Sequence, residues 1–418
     1  MAPAVNQSRE AGMGVDVGHV TVAQVNGLAL RLNEFVKPFQ EAMGFPVQER
    51  HLGAFVGGLL GGTERKSVEP IALAQGVSRR QLQHFVGVSV WDHRPLIEVL
   101  QSEVAAELGD SEGILVIDGS AIPKKGTESV GVTRQWCGRL GKVENCQVGV
   151  FLAYAGKGSC TLVDERLFLP RCWAEDAERR HKGKVPEEVE YRTSWHLADE
   201  MVRRTGPRLP HRWVTGDSEF GRASAFRDSL AKRGERYIME VPVNVVVRTA
   251  ARKKGRTPRW HAAKQYLRRW PVTAWQRFTV RDGQKEPIEV IALAAEVQTR
   301  RRRRGKRELL VAVEALSGSD KWYFLSNAPT STPLDELVGA AMRRHLIEER
   351  FEAAKGETGL DHYEVRSWLG WHHHMASSLV ALWFLVKEQR RLGQDGPALG
   401  GDGALHLERA ASPPPLAS

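Results

Sequence analysis

Apolar residues recur at helical spacing from Leu32 to about Glu107, with prolines at the boundaries of the periodic runs and an acidic or polar residue opening several of them. Within this stretch, Val68 to Gln75 leads to Gly76, and Ser78 then precedes Arg79-Arg80-Gln81-Leu82-Gln83-His84-Phe85. A first helix, a glycine turn and a serine N-cap predict a helix-turn-helix over residues 68 to 86. A second helix lying in the major groove would offer Arg79, Arg80, Gln81 and Gln83, side chains suited to phosphates and base edges. A plain helical hairpin has the same grammar. The polar, small-residue stretch 1 to 30 and the Gly/Pro/Ala/Ser-rich segment 391 to 418 predict loose ends.

After Gly113 the pattern becomes that of strands: Ile114 to Ile117, Cys146 to Tyr154, and Cys160 to Leu169, the last two joined by the hairpin loop Ala155 to Ser159. A helix from Thr193 to Arg204, closed by Gly206-Pro207, leads to the strand Arg212 to Thr215. A helix over Ala223 to Lys232 and a strand over Arg236 to Val241 follow. Three antiparallel strands, then helix, strand, helix, strand, resemble the ribonuclease-H-like order. The predicted class is therefore α/β, with a mixed-sheet catalytic domain over 111 to 243 and 333 to 390 behind a helical DNA-binding domain over 31 to 110. Alternating segments such as Pro287 to Leu293 predict a strand-rich, basic insertion over 244 to 332.

With 418 residues and 42% hydrophobic content the chain is long enough for two or three packed units. Sixty Lys and Arg against fifty Asp and Glu give a net charge of +10 and a pI near 9.5, which favours a polyanionic partner. The insertion concentrates that charge in Arg252-Lys253-Lys254 and in the run containing Arg301, Arg302 and Arg303. Such runs occur as solvated loops, but their self-repulsion is relieved by an anion such as DNA phosphate. Four cysteines without a CxxC or CxxxC pair imply neither a disulfide framework nor a thiolate zinc site. No leader pattern and no membrane-length apolar run is present, so a soluble protein of a reducing cytoplasm is expected.

The chemistry centres on Asp118 after Ile114 to Ile117, Asp217 after Trp213 to Gly216, and Glu348 in the periodic stretch Arg343 to Phe351. On a helix Arg344, Glu348 and Lys355 fall within about 40° of one another, whereas Glu349 is about 100° away and reads as solvated. Three carboxylates can hold two hard divalent cations, Mg²⁺ first. Ser120 lacks a nucleophile elbow, and His372-His373-His374 point about 100° apart on a helix, so the triplet reads as part of a closing helix and a DNA-facing edge rather than as ligands of one ion.

Arg344, Glu348 and Lys355 match the R-x3-E-x6-K part of the signature of IS4-like DDE transposases. The strings Ile347 to Arg366, Asp118 to Gly126, Ser129 to Gly138 and Glu64 to Ala72 resemble the IS701 branch, and the resemblance covers roughly residues 35 to 390. It implies a DNA transposase that binds terminal inverted repeats, cleaves the element ends and joins 3′-hydroxyls to target DNA with two Mg²⁺, or Mn²⁺, ions. Asp118, Asp217 and Glu348 would hold the metals, Arg344 and Lys355 the phosphate beside them. Lys124, Lys125 and Arg134 within the shared strings join the DNA-binding candidates. The implied partners are double-stranded DNA and a second copy of the chain, in a bacterial cytoplasm and on the nucleoid when bound. The signature's opening Tyr falls at Ala341, a departure that bears on the phosphate grip. A decayed DNA-binding copy and a nuclease without strand transfer are the alternatives.

Overall fold

The computed structural model describes residues 27–250, 258–280, 288–300, 307–317, 320–393 and 407–409. Five helices come first: α1 (Leu28–Glu41), α2 (Pro46–Leu60), α3 (Val68–Ala74), α4 (Arg79–Gly87) and α5 (Arg94–Leu108). Pro38 lies inside α1, not at a boundary. Its missing N–H leaves the Glu34 carbonyl without a helical donor, and both residues are exposed, so water can serve that carbonyl. Between α3 and α4, Gly76 takes φ 62°, a left-handed turn that favours glycine, and Ser78 caps α4 by accepting from the Gln81 N–H.

The sheet begins with β1 (Ile114–Pro123), β2 (Thr133–Cys137), β3 (Lys142–Gly156) and β4 (Ser159–Leu167). β3 runs antiparallel to β1 and to β4. Its first residues also pair with β2, a short strand that sequence patterning misses because its burial alternates over only five residues. The β3–β4 turn is tighter than the expected five-residue loop. Only Lys157 and Gly158 lie between the strands, at φ 45° and 82°, and two successive positive values match the twist of a two-residue hairpin turn.

Helix α6 (Ser194–Thr205), strand β5 (Trp213–Gly216), helix α7 (Ser224–Lys232) and strand β6 (Tyr237–Glu240) follow. β5 is parallel to β1, and β6 is parallel to β5. The inner sheet thus reads β4-β3-β1-β5-β6, an α/β arrangement consistent with a ribonuclease-H-like domain. β7 (Val246–Thr249), β8 (His261–Ala262), β9 (Gln276–Val280), β10 (Ile288–Thr299), β11 (Arg307–Ala315) and β12 (Lys321–Ser326) extend the same sheet, β12 pairing antiparallel with β6. A short β13 (Leu407–Arg409) pairs with β9.

The chain then returns through α8 (Leu334–Met342), α9 (Leu346–Thr358) and α10 (Trp368–Arg391). The 343–351 stretch is not one continuous helix: Arg343–His345 forms a 3₁₀ turn between α8 and α9. Every residue of α10 from Gly370 to Phe384 is buried, against α2, α4, α5, α9 and β4. This corrects the DNA-facing reading of the histidine triplet. His372 meets Glu165, His373 sits between the Val86 and Trp91 carbonyls, and His374 meets the Gly359 carbonyl. A helix sheathed by protein on all sides turns successive residues toward different neighbours. One apolar cluster runs from Val36 through the sheet to Val386, so the N-terminal helices share a core with β1, with β3 to β6 and with one face of β9 to β12, while a second cluster covers the other face of β10 to β12. Among the described residues no helix is long and apolar enough to cross a membrane.

Candidate active site

The register of the parallel strands builds the site. Ile117 pairs with Gly216, and Gly216 pairs with Met239. The next residues are Asp118, Asp217 and Glu240, so three carboxylates form a row where the parallel pairing stops: Asp118 midway along β1, which runs on beside β3, Asp217 directly after β5, and Glu240 at the end of β6. Ligands of open α/β sheets bind at such ends. Four fully buried residues, Ile114 to Ile117, anchor Asp118, whose Oδ1 accepts from the Gly119 N–H at 2.6 Å. Asp217 caps the turn Ser218–Gly221, accepting from the Glu219 and Phe220 N–H groups at 2.9 and 3.4 Å. That turn lies on β6: a Cβ at Gly221 would come within 1.7 Å of the Glu240 carbonyl oxygen, so only glycine fits.

Glu348 enters from the first turn of α9. Asp118, Asp217, Glu348 and Lys355 all line one cleft of about 880 Å³, with Gln135, Trp136 and Arg139 among its other walls. Arg344 ties the acids together, its Nε 2.9 Å from Glu240 and an Nη 2.9 Å from Glu348. Glu348 is the exposed acid of its pair. Glu349 is half-buried rather than solvated, close enough to Cys160 for its charge to help push that thiol up, because neighbouring elements cover that flank of α9.

Burial, followed by the charge of Asp217, pushes the Asp118 carboxyl up to about 8, with Arg344 opposing. Asp217 is raised by burial and by Glu219, against the N–H groups it caps. Glu240 is raised by burial, with Arg344 again opposing. Arg344 is itself raised: burial works against its charge, but Glu240, Glu348, Asp118 and Asp217 outweigh it. Lys355 is lowered, chiefly by burial. Carboxylates that resist ionisation together accept a divalent cation, and their all-oxygen donor set suits a hard ion.

The other candidates fall in different places. Arg79, Arg80, Gln81 and Gln83 are exposed on α4, although Arg79 pairs with Glu69 of α3 at 2.6 Å. Lys125 is exposed, and Arg134 is exposed 4.0 Å from Glu144. Lys124 is turned inward: its Nζ donates to the Tyr363 carbonyl at 3.1 Å and lies 3.4 Å over the Tyr363 ring, and burial pushes it down to about 8. Ala341 is 1% exposed and packs in the core, away from the cleft. Arg252, Lys253, Lys254, Arg301, Arg302 and Arg303 lie outside the described residues. Their flanking neighbours Arg248 and Arg300 both lie over the Trp260 ring, 4.5 and 5.4 Å from its centroid.

Glu240 is the site residue that sequence reasoning missed. Its signal is in the sequence, since in each of the three strands a short run rich in apolar residues leads directly to an acid: Ile117-Asp118, Gly216-Asp217 and Met239-Glu240.

Carboxylates on adjacent parallel strands, faced by a helix-borne acid and flanked by cations, are the oxygen donors and counter-charges that metal-dependent phosphoryl transfer calls for. The chain belongs to the DDE superfamily endonucleases, the family model matching residues 38–287. The match includes Asp118 and Asp217 and ends before Glu348. A probable transposase for insertion sequence element IS701 from Microchaete diplosiphon is 26% identical over 322 residues, 73% of this chain and 75% of the relative. Membership of the family implies dependence on divalent metal.

Proposed function

We propose that this protein is the transposase of an insertion sequence, binding the terminal inverted repeats of its element, cleaving the ends and joining the 3′-hydroxyls to target DNA. The observation that carries this reading is Asp118 and Asp217, side by side where β1 and β5 cease to pair, sharing one cleft with Glu348 in a chain of the DDE endonuclease family. The donor set fits Mg²⁺, with Mn²⁺ as a substitute: Asp118, Asp217 and Glu348 would hold two ions. Held by these three acids, divalent metal would supply the Lewis-acid chemistry that activates an attacking hydroxyl and stabilises a leaving 3′-oxygen.

The chain's own groups bind and orient the DNA. Arg344 and Lys355 carry the phosphate beside the acids, and Arg344 is already poised between two carboxylates at 2.9 Å from each. The exposed face of α4 with Arg79, Arg80, Gln81 and Gln83 reads the element end, making the N-terminal helices a DNA-binding module. Lys125, Arg134 and the basic segments of the insertion hold backbone phosphates. Lys124 serves by fixing the segment around Tyr363. Two ends cut and joined together call for a homodimer on DNA, working at the nucleoid of a bacterial cytoplasm.

The test is Asp118→Ala. It should bind a labelled element end as tightly as the unaltered protein and give no strand cleavage in Mg²⁺; full cleavage overturns the assignment. Cleaved ends that are never joined would reduce the activity to that of a nuclease.

A further inference from the structure

Away from the cleft, three ligand-type side chains from separate segments meet. His93 is the N-cap residue of α5, Glu165 lies on β4 and His372 on α10. His372 Nδ1 is 3.0 Å from each Glu165 carboxylate oxygen, and His93 Nε2 is 3.5 Å from one of them. The two rings stack with centroids 4.5 Å apart. Among the described residues this is the one group of His, Cys, Asp and Glu side chains whose ligand atoms all lie within 4.8 Å of one another.

The local charges leave Glu165 in need of a cation. Its side chain is fully buried. Arg94 and Arg166 are close by, but both face Asp164, at 3.1 and 2.7 Å, and Arg166 also faces Glu200 at 3.3 Å. Burial pushes the Glu165 carboxyl up to about 7 and drives both imidazoles toward the neutral form, so neither ring supplies a full positive charge. His93, Arg166 and Arg94 offset only part of that burial, and both arginines are committed to Asp164, so the buried carboxylate is incompletely compensated.

We propose that His93, Glu165 and His372 hold a divalent transition-metal ion of the zinc type, which clamps the N-terminal helices, β4 and the closing helix α10 together. Two imidazole nitrogens and one carboxylate oxygen form a borderline donor set that suits Zn²⁺ better than Mg²⁺. Ligands about 2.1 Å from a tetrahedral ion stand roughly 3.4 Å apart; the Glu165 oxygens stand 3.0 and 3.5 Å from the two ring nitrogens, and the rings, stacked 16° from parallel, must tilt toward one another for both lone pairs to reach one ion. A cleft of about 410 Å³, lined by His93, Arg94, Arg166, Trp368 and His372, gives the ion an entry path and room for a water as fourth ligand. Asp92 Oδ1 lies 3.9 Å from the other His93 ring nitrogen, within reach of an outer hydrogen bond on a small shift. The cysteine spacing that argues against a thiolate site does not bear on this one.

The test uses the full chain carrying Asp118→Asn and Asp217→Asn, so that the acidic cleft does not take up metal. After chelator treatment and equilibration with ZnCl₂, elemental analysis should find one zinc per chain, and the melting temperature should rise by several degrees. CoCl₂ in place of zinc should give the intense visible bands of four-coordinate nitrogen and oxygen ligation. His93→Gln and His372→Gln, each checked for folding by circular dichroism, should lose the bound metal and the cobalt spectrum. A folded parent with neither zinc nor cobalt bands overturns the proposal and leaves a neutral hydrogen-bonded cluster. Undiminished zinc in both histidine variants overturns it as well.

Discussion

Arg344 Nε lies 2.9 Å from the Glu240 carboxylate, so a guanidinium from the turn before α9 is held at the end of β6 while it also reaches Glu348. Glu240 therefore competes with Glu348 for one positive charge. Removing the first partner strengthens the hold on the second, and a carboxylate held by arginine is a poorer metal ligand.

Glu240→Gln keeps the shape of the side chain and removes its charge. Arg344 should then sit more fully on Glu348, and the Mg²⁺ midpoint for strand cleavage should rise roughly three- to tenfold, the effect of about 1 kcal/mol in a partly exposed ion pair. A metal titration of end cleavage measures it, and an unchanged midpoint would show that Glu240 has no bearing on the cleft.

Asp118 gives the metal-free protein a distinctive pH profile. Its carboxyl titrates near 8 when folded and near 3.9 when unfolded. The folded state thus binds the extra proton, and the stability this lends is complete below about pH 4 and lost as pH rises through about 8. Thermal melts without metal should show a downward slope from pH 5 to pH 9 that Asp118→Asn flattens. Metal must displace the same proton, so Mg²⁺ should bind roughly 25-fold more tightly at pH 8.5 than at pH 6.5.

Gly221→Ala drives a methyl group into the Glu240 backbone, 1.7 Å from its carbonyl oxygen. Asp217 and Glu240 are both displaced by whatever relieves that overlap, so cleavage should be lost along with about 3 kcal/mol of stability. Gly356→Ala is the control. A Cβ there meets nothing within 4 Å, and the substitution within α9 should raise stability by about 0.5 to 1 kcal/mol. Denaturant melts of both variants separate the two outcomes.

Ala341→Tyr restores the family's residue type at a position that is 1% exposed in this fold. The phenol has to enter the core beneath α8, at a cost of about 2 kcal/mol or more. Binding of a labelled element end should not tighten. A stable variant with a stronger grip on DNA would show that the position can turn toward the cleft.

Much of this arrangement is legible in local pattern. Ile114 to Ile117 and Trp213 to Gly216 are largely apolar runs closed by an acid, and their burial follows from that composition. Gly76 and Ser78 announce the turn between α3 and α4 in the same way. What escapes is decided by distant partners. Glu240 joins the row only because Gly216 pairs with Met239, a register that no periodicity records. The 3₁₀ turn at Arg343–His345 interrupts a stretch whose apolar spacing is continuous. Lys124 carries the residue type of a phosphate contact, but Tyr363, far along the chain, claims its ammonium. His372, His373 and His374 differ in role because three separate segments surround a helix that looks, in one dimension, like a single cluster.

The helix that is synthesised last among the major elements is also the one most completely enclosed. α9, which carries Glu348, rests on it, as do β4 and three of the N-terminal helices. On the ribosome, then, the first three hundred and sixty or so residues can emerge without a finished cleft, because the support for its third acid has yet to be made. A product truncated before α10 should therefore lack the support for Glu348 and give no strand cleavage, which an end-cleavage assay of a chain stopped after α9 checks.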